Sequence, residues 1–182
     1  ATALDALFDT LKTWRWMPQL RTITTYHTHP AYIEALAQSI EEHWKQQGRA
    51  RRILFTYHGV PEAYITHGDP YQRECYATTD LLVTRLNLHE GEYGISFQSR
   101  LGPVEWLRPY TDETLAAWGR EGVESVETIC PGFSADCLET VDEVAHEGGE
   151  AFVEAGGGRF AYIPALNDRP EHIAMLTQLI AE

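Results

Sequence analysis

The stretch Arg52–His58, RILFTYH, followed directly by Gly59-Val60-Pro61, decides the fold class of this chain. A short apolar run of this kind is typical of a strand that is buried on both faces of a parallel sheet. Gly59 and Pro61 are turn residues that end it. We therefore predict a central strand over residues 52–58, with His58 as its last residue.

Extended and helical patterns alternate on both sides of this strand. Extended patterns lie at 21–27, 52–58, 93–99, 123–130 and 159–164. Helical patterns lie at 4–14, 30–44, 69–88 and 111–120, from Ser134 to the glycines at 148–149 or 156–158, and from Pro170 to Ile180, with Asp69, Thr111 and Ser134 as predicted N-caps. The alternation predicts an α/β fold, a parallel sheet flanked by helices on both faces in a Rossmann-like three-layer sandwich.

The composition is that of a globular protein of one domain. The 182 residues are 43% apolar and 23% charged, enough to bury a sizeable core. No apolar run approaches the ~20 residues of a membrane span, and the first residues lack the layout of a secretory signal. Three cysteines, an odd and sparse set, exclude a disulfide scaffold. We expect a cytoplasmic protein without a transmembrane segment.

The net charge of −13 argues against a nucleic-acid partner, because such binding is built mostly from clustered Lys and Arg. Most of the charge lies between Asp112 and Glu154, where twelve acidic residues face the single base Arg120. Such a block attracts cations. It is equally compatible with a solvated acidic face.

In open parallel sheets, ligands bind outside the carboxyl ends of the strands. The residues at these positions are His58, Gln98–Arg100 and Pro131–Ser134. A neutral imidazole at His58 can take a proton or bind a divalent metal. The alternative is a histidine that is merely hydrogen-bonded to the backbone of the turn.

Three carboxylates, Glu139, Glu143 and Glu147, recur at a spacing of four. On a helix they form a stripe of like charges, which suits a divalent cation or a solvated face. In a regular α-helix the stripe drifts by about 40° per step. A π-bulge is therefore required if all three are to stay aligned.

Several motifs, in matching order and spacing, resemble bacterial ferrochelatase, a family of type II chelatases. They are YHGVP at 57–61, GDPY at 68–71, SFQSRLGP at 96–103, Trp106-Leu107 and PGFSADCLET at 131–140, with further similarity at 14–18, 29–30, 162–164 and 167–168. The resemblance implies a chelatase fold of two similar domains. Members of the family are nearly twice as long, so residues 1–182 are expected to form a single chelatase-like domain that corresponds to the carboxyl-terminal portion, with the amino-terminal domain absent.

The resemblance also implies an activity and a site. The activity is that of a lyase that inserts Fe²⁺ into protoporphyrin IX to form protoheme, the last step of heme biosynthesis. The family's catalytic histidine corresponds to His58 and its metal-site glutamate to Glu139, with Glu143 and Glu147 behind it. We expect His58 and Glu139 to be catalytic and all four residues to contact metal, and either His58 or Glu139 can be the proton acceptor. Arg100 is expected to bind a porphyrin propionate, or else to stabilise the fold by pairing with acidic residues.

The expected partners are porphyrin and ferrous iron, with an amino-terminal half or a second copy of the chain completing the cleft. No cofactor is expected beyond the substrate iron, and no cysteine set resembles the iron–sulfur ligands of some relatives. Two alternatives are a half-enzyme that binds metal or porphyrin with weak or no turnover, and a short dimeric chelatase for another tetrapyrrole. The resemblance favours protoporphyrin over coproporphyrin as the substrate.

Overall fold

A computed structural model describes residues 2–181 as an alternation of helices and strands. The strands are β1 (Arg52–His58), β2 (Tyr93–Gln98), β3 (Ser125–Ile129) and β4 (Arg159–Ile163). The α-helices are α1 (Thr2–Leu11), α2 (Pro30–Gln47), α3 (Glu62–Thr66), α4 (Tyr71–Arg85), α5 (Thr111–Arg120), α6 (Gly148–Glu154) and α7 (Pro170–Ala181). A π-helix, Glu139–Glu147, leads directly into α6. Across residues 2–181, every helix falls short of the length and apolar character that a bilayer span demands.

The strands form one parallel sheet in the order β2-β1-β3-β4. In this order the chain changes direction between β1 and β3, which makes their carboxyl ends the topological switch point where ligands bind in such folds. The pairing of β1 with β3 ends at Phe55 and Ile129, whereas β1 continues to His58 beside Gln98 of β2. The last three residues of β1 therefore border the crevice at the switch point.

The two faces of the sheet bury different residues of β1. Ile53, Phe55 and Tyr57 belong to the larger core, with α2, α4 and α7. Leu54 belongs to a second core, with Leu115 of α5 and residues of α6. The three-layer α/β fold class is thus confirmed.

Side chains of a strand alternate between its faces. His58 is therefore on the same face of β1 as Leu54, the face of α5, α6 and the π-helix. Tyr57 is on the opposite face, toward α2 and α4.

Local sequence signals predict the start of a helix correctly where a proline opens the first turn or a side chain accepts a hydrogen bond from its backbone. Pro30 opens α2, and Ala31 N–H donates to His29 Nδ1. Tyr71 N–H donates to Asp69 Oδ1 at 2.9 Å, and α4 begins at Tyr71. The first helix, predicted from Leu4, is also present as α1.

The predicted strand at 21–27 is wrong. This segment has no regular secondary structure and no ladder partner among the described residues, and Ile23 is 52% exposed. It runs across the carboxyl ends of the sheet, where Thr24–His27 line a cavity. An alternating sequence specifies an extended backbone, but a strand also needs an edge with which to pair.

Two predicted N-caps are also wrong. The Thr111 hydroxyl is buried and bonds Thr56 and Ser96 instead of the backbone of α5. Ser134 lies five residues before the π-helix, and its hydroxyl is 3.2 Å from the Tyr26 hydroxyl. In both cases a partner distant in sequence takes the hydroxyl that a local cap would have used.

Candidate active site

His58 stands at the end of β1 with one ring nitrogen bound to the turn that follows. Its Nδ1 lies 2.6 Å from the carbonyl oxygen of Gly59. Because a carbonyl can only accept a hydrogen bond, Nδ1 carries the proton, and the neutral ring keeps a lone pair on Nε2. The bond to the turn backbone and a role as base or metal ligand are therefore compatible, since the first orients the ring for the second.

Aromatic rings surround this histidine. The ring centroids of Trp106 and Phe133 each lie 6.4 Å from that of His58. Gly59 makes the approach of Trp106 possible, because a Cβ there would lie 3.2 Å from its ring and 2.9 Å from the Gln98 carbonyl oxygen. The result is a proton-accepting nitrogen beside broad apolar surfaces.

Glu139, the first residue of the π-helix, lies near the end of β1. Its backbone carbonyl accepts a hydrogen bond from the side chain of Gln98, the register partner of His58 in the sheet. The pKa of its carboxyl is lowered, first by a hydrogen bond from the Cys137 side chain, then by its own backbone N–H and by attraction to His58. The carboxylate is therefore ionised near neutral pH. His58 and Glu139, 81 positions apart in the sequence, thus lie near each other at the carboxyl end of the sheet.

The acidic stripe lies on the π-helix Glu139–Glu147, and not on an α-helix with a single π-bulge. Gly148 N–H donates to the carbonyl of Glu143, five residues earlier, which is the hydrogen bond of a π-helix. The three carboxylates nevertheless have different surroundings. Glu143 accepts hydrogen bonds from the backbone N–H and the hydroxyl of Ser99, whereas Glu147 is exposed.

The structure therefore brings the predicted residues together in two pairs. His58 and the backbone of Glu139 both lie beside Gln98 at the end of β1 and β2, and Glu143 and Glu147 line one cavity of about 280 Å³. Among residues 2–181, no three His, Cys, Asp or Glu side chains converge as a metal cage would require. The role of all four residues in holding metal stays a prediction.

Arg100 lies at the rim of the cavity that Glu143 and Glu147 line. Its guanidinium pairs with Asp112 at 2.8 Å and stacks 4.1 Å over the ring of Tyr110. The pairing with acidic residues is the fold-stabilising alternative raised by the sequence. Its exposure leaves room for a ligand anion, so the propionate role also stays a prediction.

Asp136 precedes the stripe of glutamates by one turn, and the sequence alone gives it no role of its own. Its carboxylate accepts hydrogen bonds from Thr140 Oγ1, Tyr162 OH, Ala165 N–H and Asn167 Nδ2. Burial alone raises its pKa, but these four donors outweigh burial and lower the pKa below its ordinary value. Asp136 ties the turn that precedes Glu139 to the loop after β4.

Gln98 and Ser99 are among the strand-end positions that the sequence indicates, but without a chemical role. They are the last residues of the strand predicted over 93–99, at the edge of the sheet where ligands bind, and neither side chain is titratable. Their position at a strand end was the only signal. The structure shows that each binds an element of the acidic helix.

A further cavity of about 340 Å³ lies at the switch point, on the other face of β1 from His58. Its walls include the segment Thr24–His27, Tyr57 and Tyr71. The Tyr71 hydroxyl donates to the backbone carbonyl of His58 at 2.8 Å. The two compartments at the end of β1 thus share the backbone of His58.

Comparison with known proteins gives one consistent result. The ferrochelatase family model matches residues 1–182. The chain is 49% identical over 181 residues to the ferrochelatase of Nitrosococcus oceani, covering 100% of this chain and 49% of that protein. It is 52% identical over 179 residues to that of Pseudoalteromonas atlantica and 53% over 180 residues to that of Idiomarina loihiensis, covering 98% and 99% of this chain and 50% of each relative. The chain spans about half the length of the curated relatives it matches.

Proposed function

The chain belongs to the ferrochelatase family, and from this premise we propose that it carries the metal-insertion site of a ferrochelatase. The substrates are Fe²⁺ and protoporphyrin IX, and the product is protoheme. The observation that carries the proposal is the position of His58, whose Nδ1 is bound to the Gly59 carbonyl and whose Nε2 is left as an acceptor, beside Gln98, whose side chain holds the backbone of Glu139.

The charge balance of the reaction calls for such a pair. Insertion of Fe²⁺ forms bonds from the metal to the porphyrin nitrogens and releases two pyrrole N–H protons. His58 Nε2 accepts a proton from the porphyrin, and Glu139 holds the incoming iron or passes protons outward. The opposite assignment, with His58 as the first metal ligand, uses the same two residues.

The surroundings of His58 suit a flat apolar substrate. Trp106 and Phe133 offer rings on which a porphyrin can rest while its nitrogens face the histidine. The carboxylates of Glu143 and Glu147 lie behind Glu139 along the π-helix and favour an approaching cation. We expect the exposed guanidinium of Arg100, in the cavity that Glu143 and Glu147 line, to bind a propionate.

We further propose that the cleft is completed by an amino-terminal half or by a second copy of this chain. Porphyrin sites bury most of the ligand's surface, and Trp14, Trp16 and Met17 lie exposed next to the segment that crosses the sheet. The proposal includes no cofactor beyond the substrate iron and no iron–sulfur cluster. It places the chain in the cytoplasm, the compartment that its sparse cysteines favour.

The test is insertion of Zn²⁺ into a soluble porphyrin, followed by absorbance, for the chain alone and with an added amino-terminal half of a relative. His58→Ala should abolish insertion and leave the fold intact. His67→Ala is the matched control, because His67 also bonds a backbone carbonyl through Nδ1 but is exposed on a loop. Activity of His58→Ala within about threefold of the parent removes His58 from the mechanism.

The dependence on protein concentration separates the remaining possibilities. The chain alone should insert metal at least ~100-fold more slowly than the reconstituted cleft, the scale of loss that a substrate misplaced by about 1 Å causes. A specific activity that rises with concentration indicates a cleft rebuilt by a second copy. Porphyrin binding without insertion under every condition indicates an inert half, and full activity in a strict monomer indicates a cleft complete within this chain.

A further inference from the structure

The buried side chain of Gln98 connects three elements at the site. Its Oε1 accepts a hydrogen bond from the Thr56 hydroxyl of β1 at 2.9 Å, and the Cys130 thiol after β3 lies 3.7 Å from the same atom. Its Nε2 donates to the backbone carbonyl of Glu139 at 3.1 Å. Only 4% of the residue is exposed, so these partners replace the solvent that its amide would otherwise bind.

The directions of these bonds follow from what each group can donate. The carbonyl of Glu139 can only accept, so the nitrogen of the amide must face it and the oxygen must face Thr56. The Thr56 hydroxyl donates its single proton to Gln98, and therefore accepts a hydrogen bond from the Thr111 hydroxyl 2.7 Å away. Thr111 in turn accepts from the Ser96 hydroxyl at 3.0 Å.

The result is a directed chain of hydrogen bonds, Ser96 to Thr111 to Thr56 to Gln98, that ends on the carbonyl of Glu139. All four donors are buried. Bonds in such a chain polarise one another in the low dielectric of a protein interior, and losing a partner leaves a buried polar group unsatisfied. The chain thus anchors the first residue of the π-helix to the core of the sheet.

This anchor bears on the pairing of Glu139 with His58. Gln98 is the register partner of His58 in the sheet, and its backbone carbonyl also accepts from Gly59 N–H at 2.7 Å. One residue therefore contacts the turn that orients the histidine and, through its side chain, the backbone that carries the glutamate.

We propose that Gln98 is a positioning residue of the metal-insertion site, one that sets the geometry between Glu139 and His58 through its side-chain amide. It acts through Glu139 and does not touch the substrate. This inference rests on the proposed function for its consequence in catalysis, but the anchoring itself is a property of the chain.

The first test compares Gln98→Met with the parent. Methionine matches the length of glutamine but cannot donate to the Glu139 carbonyl. We expect zinc insertion to fall by about 10- to 100-fold, as for other groups that orient a metal-site ligand, and backbone amide exchange to rise in the π-helix but not in α1. Thr128→Val is the matched control, because Thr128 is a fully buried residue of β3 whose hydroxyl has no partner.

The second test is a pH profile of Gln98→Glu. A protonated carboxyl can accept from Thr56 and donate to the Glu139 carbonyl, as the amide does, whereas a carboxylate cannot donate. The activity of Gln98→Glu relative to the parent should therefore recover as the pH falls. A role confined to packing predicts the same ratio at every pH.

The outcomes separate this inference from the proposed function. If the parent inserts no metal under any condition, the proposed function fails. The role of Gln98 is then still decided by comparing Gln98→Met with the parent in two measurements, amide exchange in the π-helix and affinity for Co²⁺. Exchange and Co²⁺ affinity equal to the parent's in Gln98→Met overturn the inference. So does insertion within threefold of the parent, or a pH-independent ratio for Gln98→Glu.

Discussion

The carboxylate of Glu143 is bound by Ser99, 44 residues earlier, through both the backbone N–H and the hydroxyl of the serine. The backbone of Ser99 has a φ of +65°, in the left-handed region that residues other than glycine rarely adopt. This conformation directs two donors of one residue at the same carboxylate. Glu143 is therefore part of a joint between β2 and the π-helix as well as a member of the acidic stripe.

Removing the hydroxyl of Ser99 should weaken this joint. We expect Ser99→Ala to lower the free energy of unfolding by about 1.5 kcal/mol, the lower value for a hydrogen bond to a charged group, because the contact is only partly buried. Ser99→Gly loses the same bond but relieves the left-handed backbone, so its loss should be smaller. Denaturant unfolding measures both, and a Ser99→Ala chain as stable as the parent contradicts the role of the hydroxyl.

The three glutamates of the π-helix should respond differently to neutralisation. Glu139→Gln should weaken Co²⁺ binding most and Glu147→Gln least, because Glu139 is held beside the strand end that carries His58 while Glu147 is exposed. Titration of each variant with Co²⁺ measures this order, with Glu150→Gln as a control on the exposed part of α6. Equal Co²⁺ affinity in all variants would mean that the stripe is only a solvated acidic face.

Stability adds an independent reading of the same three variants. Loss of like-charge repulsion should leave Glu147→Gln as stable as the parent or more stable by ~0.2–0.5 kcal/mol. Glu143→Gln should be the exception and lose stability, because its carboxylate is the acceptor for Ser99. Thermal unfolding without metal tests this difference, and a gain in stability for Glu143→Gln shows that the bonds from Ser99 are weaker than the repulsion.

Asp136 should make the stability of the chain depend on acid pH. Its pKa is lower in the folded protein than the value of about 3.9 of an unfolded chain, so the ionised form is favoured by folding. The stabilisation is complete above the unfolded pKa and is lost as the pH falls through the folded pKa. Asp136→Asn should therefore cost about 1–3 kcal/mol at neutral pH and progressively less in acid.

The control for this experiment is Asp168→Asn, an exposed carboxyl in the loop before α7. Its stability should follow that of the parent at every pH. A constant difference between Asp136→Asn and the parent from neutral to acid pH would mean that the lowered pKa of Asp136 does not contribute.

The role of Arg100 in binding a propionate can be tested by comparison with Arg108, which has similar contacts. Arg100 and Arg108 stack on the same ring of Tyr110, at 4.1 and 4.3 Å, and both reach Glu113. Each replacement by Met should change stability by less than about 1 kcal/mol, because the ion pairs are exposed. If Arg100 binds a propionate, only Arg100→Met raises the KM for porphyrin at unchanged kcat, and equal KM values in the two variants assign Arg100 to the fold.

The sequence predicted best what local physical chemistry determines. The apolar run of β1 and the proline at the start of α2 are each signals contained within a few consecutive residues. Both elements form as predicted. The segment 21–27 has an equally clear alternation but no partner strand, and pairing depends on residues that a local pattern does not contain.

The site divides in the same way. The position of His58 followed from the end of its strand, whereas the spacing of the glutamates indicated only that a π-bulge would be needed to align them, and not the π-helix that is present. The bonds from Gln98 to Glu139 and from Ser99 to Glu143 span 41 and 44 residues and depend on how β2 packs against the π-helix. The residue type of a glutamine or serine does not by itself predict such a contact.

The alternation of side chains along β1 constrains how this chain can vary over evolution. Inserting or deleting a single residue between Ile53 and Thr56 would slip the strand by one position and turn His58 to the face of α2 and α4, into the compartment that Tyr57 now occupies. Substitutions in β1 can be compensated by repacking, but a change in its length cannot. We expect length variation instead in the exposed connection that precedes β1, around Gly48 and Arg49, where it would leave the histidine on its side of the sheet.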